Sequence, residues 1–301
     1  MAYRGWHQVA FEREIQREVT PVSLGGREML LVKRPDGLRA FDAYCPHRGA
    51  HLGRGGRVDG DRIICPFHGR RIGFDEPGDD GFRLRGYRTL SVGGLVFVLL
   101  SEDLDSGFSD YISGLDETHY FIPGFSLDVR TRPEYVIENA LDRRHFRQVH
   151  GIENTPGLEL VEGGDGRLTV RARLLTARPN SWQEETSSGV DLLIRIFSPT
   201  LCVTEIQEAG SRKMVLTAAT PGASGACTIR VSLALPPATD GQPPAEEPVR
   251  ALLRDSRRAI EQDAAIWESL APEWRDRFAP DDDLVVQYYG FCERFREPAR
   301  A

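Results

Sequence analysis

The stretch Cys45–Gly69, "CPHRGAHLGRGGRVDGDRIICPFHG", constrains this chain more than any other part of it. It reads C-x-H, then seventeen residues, then C-x-x-H, and each cysteine is followed by proline (Pro46 and Pro66). Two short loops therefore each offer one thiol and one imidazole, with a glycine-rich span between them. Such a set implies a metal site. Two Cys and two His can hold zinc tetrahedrally, but zinc sites usually pair Cys with Cys and His with His, each pair on its own element.

The interleaved order suits a different group. Two thiolates on one iron and two imidazoles on the other are the ligand set of a Rieske [2Fe–2S] cluster. Imidazoles are neutral where thiolates are charged, so such a cluster carries less negative charge and its potential rises. Cys45, His47, Cys65 and His68 are the candidate cluster ligands, on loops spanning 45–53 and 65–74; zinc is the alternative.

The rest of the chain excludes several classes. At 301 residues it has ample material for a buried core. A formal charge of −7 argues against nucleic acid as a partner. No apolar run approaches the roughly 20 residues of a membrane span. The opening "MAYRGWHQVAFEREIQ" lacks the apolar core of a secretory signal. Five scattered cysteines are too few for a disulfide framework, so a reducing cytoplasm is expected. Cys202, Cys227 and Cys292 read as packed core thiols.

The first hundred residues read as short strands and turns: "EMLLVKR", the turn "PDG", "LRAFDAYC", and two runs flanking Gly93-Gly94. A small antiparallel β-domain with the cluster loops at one tip is expected. Residues 101–132 show little periodicity and read as a connector. A helix follows near Glu138–His150. Five alternating runs, "RLTVRARLL", "VDLLIRIF", "LCVTEIQ", "KMVLTAAT" and "CTIRVSLAL", imply an antiparallel sheet with one solvated face. After a polar loop, Glu246 and Glu247 favour the start of a helix over about Val249 to Leu270. The fold class is α+β, with domains at 1–115 and 116–301.

A second site lies in "ENALDRRHFRQVHG". In one helix, Asn139, Asp142, His145, Phe146, Val149 and His150 fall within about 140° of one another. The opposite side carries Ala140, Arg143, Arg144, Arg147 and Gln148. Burying the polar members unpaired costs several kcal/mol each, to order of magnitude. One inward His is ordinarily a hydrogen-bonded core residue; two, with Asp and Asn beside them, are better explained by a metal. Their i, i+5 spacing calls for a π-like distortion. On the late helix, Val249, Leu253, Ile260 and Trp267 form an apolar stripe, and Asp263 falls within about 60° of its centre. Glu261, Gln262 and Glu268 face away or flank it. Asp263 is then a salt-bridge partner or a ligand. With His145 and His150 it makes the two-His, one-carboxylate triad of non-haem Fe(II) oxygenases.

"CPHRGAHL…CPFHG", "N-x-x-D-x-x-H-x-x-x-x-H" and the late "Q-D-x-x-I-W" together resemble the Rieske non-haem iron oxygenases. The steroid 9α-hydroxylase oxygenase components, which share "RGWH", are similar over most of the chain, and the dicamba-demethylase type has the same helix motif. The resemblance implies an N-terminal Rieske domain and a helix-grip-like catalytic domain, an antiparallel sheet covered by helices. It implies a [2Fe–2S] cluster and a mononuclear Fe(II), and a terminal oxygenase that hydroxylates or oxidatively demethylates a small organic molecule with O2. Monooxygenation is expected over dihydroxylation. An NAD(P)H-dependent reductase, alone or through a ferredoxin, would supply electrons. The family works as a head-to-tail homotrimer. On that pattern Asp142 links His145 to His68 of a neighbouring subunit, or simply fixes the His145 tautomer, and Asn139 stands near the iron. Arg70 departs from the aromatic residue usual at its position. Arg48 is expected to support the cluster loop, and His7, His51 and His119 to have surface or hydrogen-bonded roles. The pocket should lie between the sheet and the two ligand-bearing helices, with "IFSPTLC" and "GIENTPGLE" as lining segments. The competing reading is a Rieske ferredoxin-like electron carrier with a ligand-binding domain, which would not need His145, His150 and Asp263.

Overall fold

The computed structural model describes residues 3–152, 157–161, 166–176, 188–208, 211–222, 225–238, 240–271 and 277–296. The N-terminal strands are β1 (Trp6–Phe11), β2 (Val19–Leu24), β3 (Arg27–Arg34), β4 (Gly37–Asp42), β5 (Arg57–Asp59), β6 (Arg62–Ile64), β7 (Arg71–Gly73), β8 (Gly86–Val92) and β9 (Leu95–Leu99). They form a six-stranded sheet in the order β1-β9-β8-β4-β3-β2 and a three-stranded one, β5-β6-β7, all antiparallel. The hairpins fall where expected, at "PDG" and at Gly93-Gly94. Both glycines of the latter have positive φ, and a Cβ on Gly93 would lie 2.0 Å from Phe121, so this turn admits no side chain.

Next come α1 (Phe108–Asp116), β10 (Tyr120–Val129), α2 (Pro133–Glu138) and α3 (Arg143–Gln148). Beyond them are β11 (Gly157–Val161), β12 (Leu168–Thr176), β13 (Ser188–Ser198), β14 (Leu201–Glu208), β15 (Ser211–Pro221), β16 (Cys227–Leu235), α4 (Glu246–Trp267) and α5 (Asp283–Glu293). The five expected strands are present within a seven-stranded antiparallel sheet, β10-β16-β15-β14-β13-β12-β11. The α+β architecture read from the sequence is therefore the observed one. Among the described residues no helix is long and apolar enough to cross a membrane.

Three expectations are corrected. The connector at 101–132 contains α1 and β10. Pro123 and Gly124 break the alternation of β10, where the pairing register shifts, and an edge strand tolerates the break. The single helix over Glu138–His150 is two short helices; the chain turns at Asn139–Asp142, and no π segment occurs among the described residues. Finally, neither face of the central sheet strands is left to solvent. Leu201 and Val203 of β14 pack with Trp6, Phe97 and Phe108, while Cys202 faces α5. The N-terminal domain covers one face; α2, α4 and α5 cover the other.

The two parts are also stitched by hydrogen bonds. The Ser198 hydroxyl donates to the Trp6 carbonyl at 3.0 Å, and the Gly25 N–H to the Pro221 carbonyl at 2.7 Å. The helix around Asp263 starts at Glu246, slightly before its expected start, with Glu246 and Glu247 in its first turn as anticipated. Cys202, Cys227 and Cys292 are buried free thiols.

A buried ionic cluster marks the same covered sheet face. Glu205 accepts from Arg195 at 2.9 Å, Arg212 at 2.7 Å and Gln207 at 2.6 Å. Burial alone would raise its pKa, but these donors outweigh that and hold it at about 2. The depressed value means that the cluster stabilises the fold above the ordinary carboxylate range and loses this contribution as pH falls toward about 2. Glu205→Gln should cost about 3 kcal/mol in urea unfolding at neutral pH, with the gap to wild type narrowing as pH falls. A gap independent of pH would assign the loss to packing.

Candidate metal centres

The two cluster loops share one backbone frame. Cys45 N–H donates to the Ala50 carbonyl at 2.8 Å and Gly49 N–H to the Cys45 carbonyl at 2.8 Å. Twenty positions later, Cys65 N–H donates to the Arg70 carbonyl at 2.8 Å and Gly69 N–H to the Cys65 carbonyl at 2.9 Å. Gly49 and Gly69 take matching positive φ of 72° and 70°, which lets each loop fold back on its cysteine. Cys45 and Cys65 are buried beside each other, and burial pushes the Cys45 thiol up. Above them the His47 and His68 rings lie 5.1 Å apart, edge to face. His47 Nδ1 is buried with no hydrogen-bond partner among the described residues. Desolvation, then the Arg70 charge, holds His47 below its ordinary pKa, in the neutral form that ligates metals. Two inner thiols, two outer imidazoles and an orphaned ring nitrogen fit a Rieske cluster.

Arg70 takes a defined place here. Its guanidinium lies over Phe82 at 5.7 Å and pairs with Asp80, while Phe82 packs at 5.8 Å from His47. Arg48 lies over Phe67 at 5.9 Å, within the loop support expected of it.

At the second site, His145, His150 and Asp263 each bring a ligand atom within 4.8 Å of the others. The turn before α3 builds this. The Asp142 side chain caps α3, accepting from Arg144 N–H at 2.9 Å and His145 N–H at 3.4 Å. Its main-chain carbonyl accepts from His145 Nδ1 at 2.7 Å. His150, just beyond α3, has Nδ1 at 3.1 Å from Gln262 Oε1. Oxygen acceptors thus hold the proton on Nδ1 of both rings, leaving each Nε2 lone pair free.

Asp263 is 5% exposed, and its Oδ1 lies 3.4 Å from His150 Nε2 without a hydrogen bond. An unpaired buried carboxylate oxygen is costly, so this geometry calls for a cation. The Asp263 carboxylate raises the His150 pKa, whereas burial lowers that of His145. The donor set fits a two-His, one-carboxylate iron site with open positions.

Two cavities meet at this point. The inner one, ≈ 290 Å³, lies between the sheet and α3 and α4, as expected, and Cys202 of "IFSPTLC" lines it. Of the other segment, "GIENTPGLE", residues 153–156 lie outside the described residues, and the other five line neither cavity. The outer cavity, ≈ 280 Å³, opens past Asp142, Trp267 and Leu270. Asn139, His145 and Asp263 line both.

Two assignments change. The tautomer of His145 is fixed by the Asp142 main-chain carbonyl; the Asp142 carboxylate caps the helix N-terminus through Oδ1 instead. Gln262, expected to face away from the apolar stripe or flank it, orients His150. Nothing in the helical pattern marks Gln262, because its partner comes from a different segment whose path is set by tertiary structure. The remaining histidines have hydrogen-bonded or paired places. His7 is buried between the Tyr3 carbonyl at 2.7 Å and the Thr200 hydroxyl at 3.1 Å, its pKa pushed by burial down to about 4. His51 lies 3.7 Å from Glu28, and His119 meets the Thr118 hydroxyl at 2.8 Å.

Fold and sites together define a two-centre protein with an N-terminal Rieske part. Residues 5–79 match the Rieske [2Fe-2S] domain, and residues 104–289 match the 3-ketosteroid 9alpha-hydroxylase C-terminal domain. The chain belongs to the family defined by that pair of domains. It is similar to the 3-ketosteroid-9-alpha-monooxygenase oxygenase component of Rhodococcus rhodochrous, 29% identical over 49% of this chain and 41% of that one. It is 28% identical to the chloroacetanilide N-alkylformylase oxygenase component of Rhizorhabdus wittichii, over 60% of this chain and 51% of the relative. Cholesterol 7-desaturase nvd of Drosophila melanogaster is 26% identical over 48% of this chain and 38% of its own length. The matched stretches thus span about half or less of these curated relatives. Dicamba monooxygenase bound to dicamba shares the fold, with a TM-score of 0.73 at 16% identity, covering 98% of this chain and 97% of that one.

Gln262→Leu should weaken Fe(II) binding about 10–100-fold, since an orienting partner of a metal-binding His typically contributes that much. Titration of metal-depleted protein with Fe(II) checks it; unchanged affinity would remove the role given to Gln262.

Proposed function

We propose that this chain is the terminal oxygenase of a multicomponent Rieske system. It would oxidise a small organic molecule by R–H + O2 + 2e⁻ + 2H⁺ → R–OH + H2O, or demethylate one through the same hydroxylation. The observation that carries the proposal is the convergence of His145, His150 and Asp263 at the meeting point of two cavities, in a chain that also holds the paired Cys-His loops. An electron carrier needs no such second centre.

In this reading Cys45, His47, Cys65 and His68, within residues 1–115, hold a [2Fe–2S] cluster; His145, His150 and Asp263, within 116–301, hold Fe(II). The cluster supplies one-electron transfer, and the ferrous ion supplies O2 binding and activation. The protein's own part is positional. Asp142 and Gln262 fix the two rings, α4 presents Asp263 inward, and the apolar inner cavity excludes water from the bound substrate. Asn139, lining both cavities, is placed to hold water or substrate beside the metal.

Electrons would come from an NAD(P)H-dependent reductase, with or without a ferredoxin, and the five free cysteines suit a reducing cytoplasm. A head-to-tail homotrimer is supported by two exposed apolar sets: Tyr44 and Phe67 on the cluster loops, and Ile266 and Leu270 by the outer cavity. There, Asp142 Oδ2, which no described residue engages, is free for a neighbour's His68.

Asp263→Ala should lose the mononuclear iron while keeping the visible spectrum of the cluster. Loss of both together would mark Asp263 as structural instead. Asp142→Asn, which can still cap α3, should keep both metals yet slow reduction of the mononuclear site at least tenfold in single-turnover kinetics; wild-type rates would exclude the carboxylate from the electron path.

A further inference from the structure

The inner cavity carries information about what it accepts. Strands β13 to β16 form its floor, with Leu192, Ile194, Val215 and Val231, and Phe146 and Ile260 close it from the helical side. Among the described residues, the only ionisable side chains on its wall besides the Cys202 thiol are the metal ligands His145, His150 and Asp263. A substrate carboxylate would be desolvated with no Arg or Lys among the described residues to meet it. Bound to the metal instead, it would fill positions that oxygen needs.

The space is small. At ≈ 290 Å³ it lies at the lower end of ligand pockets. Taking the ~30 Å³ share of a water molecule as a unit, it holds about ten non-hydrogen atoms. One substituted ring or a compact bicycle fills that volume; four fused rings exceed it and would have to reach past the ligand cluster into the outer cavity.

Two hydroxyls interrupt the apolar floor. Thr204 of β14 and Thr217 of β15 lie on paired strands, with Cys202 opposite Thr217 and Val215 opposite Thr204, and both line the cavity. Strand alternation turns Thr204 away from Val203 and Glu205, which belong to the other face. The Thr204 hydroxyl makes no hydrogen bond among the described residues, and that of Thr217 meets the Cys202 thiol. Ser256, the other hydroxyl on the wall, is already satisfied by the Leu252 carbonyl at 2.8 Å.

We propose that this cavity selects an uncharged substrate of one or two rings, and that Thr204 and Thr217 are the specificity residues that hold its carbonyl or hydroxyl group. This rests on the oxygenase reading of the same site and adds a direction to it. The polar group is anchored on the sheet floor, so the carbon presented to the metal ligands is one at the far, apolar end of the molecule.

Equilibrium dialysis of the metal-loaded protein tests this without turnover. The probes are acetophenone and benzoate, 2-acetylnaphthalene and 2-naphthoate, ethylbenzene, and the four-ring ketone androst-4-ene-3,17-dione. The ketones of one and two rings should bind at least tenfold more tightly than their matched acids and than the four-ring ketone. Thr204→Val and Thr217→Val, which keep side-chain shape, should weaken ketone binding severalfold and leave ethylbenzene unchanged. Equal binding of acids, tightest binding of the four-ring ketone, ketone affinity insensitive to both substitutions, or no binding of either small ketone would each overturn the proposal. The oxygenase reading fails on a separate observation, the absence of mononuclear iron from the same preparation.

Discussion

A carboxylate buried without a hydrogen bond on one of its oxygens is the point on which the catalytic half depends. Asp263 projects from the inward side of α4 toward two imidazoles whose Nε2 lone pairs are free, because Asp142 and Gln262 hold the opposite nitrogens. In an apolar setting that cluster has negative charge and electron pairs directed at one point, and no cationic Arg or Lys among the described residues lines it. A divalent cation turns three unfavourable burials into one coordinated site. These groups are carried by elements that are otherwise well packed: α4 across β10 and β16, α2 against β15, and the start of α3 tied to α5 by the Arg143–Asp283 ion pair.

The cluster half uses a different device. Two loops with the same hydrogen-bond frame and matched glycines bring two thiols inward and two imidazoles outward. Those loops sit at the tip of a β-domain whose first strand packs against the catalytic sheet. Trp6, Phe97, Phe108 and Phe197 form one continuous aromatic core across the junction, with Phe108 at 5.0 Å from Phe97 and 5.2 Å from Phe197. The junction covers a sheet face that would otherwise be apolar and exposed, which ties the orientation of the cluster domain to the stability of the catalytic sheet.

Much of this was legible in the residues. The Cys-His order of the loops, the period-two runs of the sheet and the inward position of Asp263 on α4 are local patterns, and each survives in the folded chain. What could not be read depends on partners distant in sequence. The 143–148 helix starts at Asp142 because a carboxylate there caps it, which a helical wheel drawn through 139–150 hides. Tyr120–Val129 becomes an edge strand despite Pro123 and Gly124 because β16 offers it a ladder. Gln262 acquires its role only when His150, over a hundred residues earlier, is brought beside it. The solvated face assigned to the sheet holds at β12, where exposed Arg171 and Arg173 alternate with buried Val170 and Ala172. It does not hold at the central strands, because alternation shows two kinds of side chain and not which surface arrives to cover them.

The central claim is that one polypeptide holds two distinct kinds of iron. Mössbauer spectroscopy of 57Fe-enriched, anaerobically reconstituted protein tests it most directly. The expected spectrum contains the paired signals of a [2Fe–2S] cluster with unlike iron sites, plus a separate high-spin ferrous doublet that is absent from the Asp263→Ala protein. A spectrum with cluster iron alone, in fully reconstituted wild-type protein, would contradict the account.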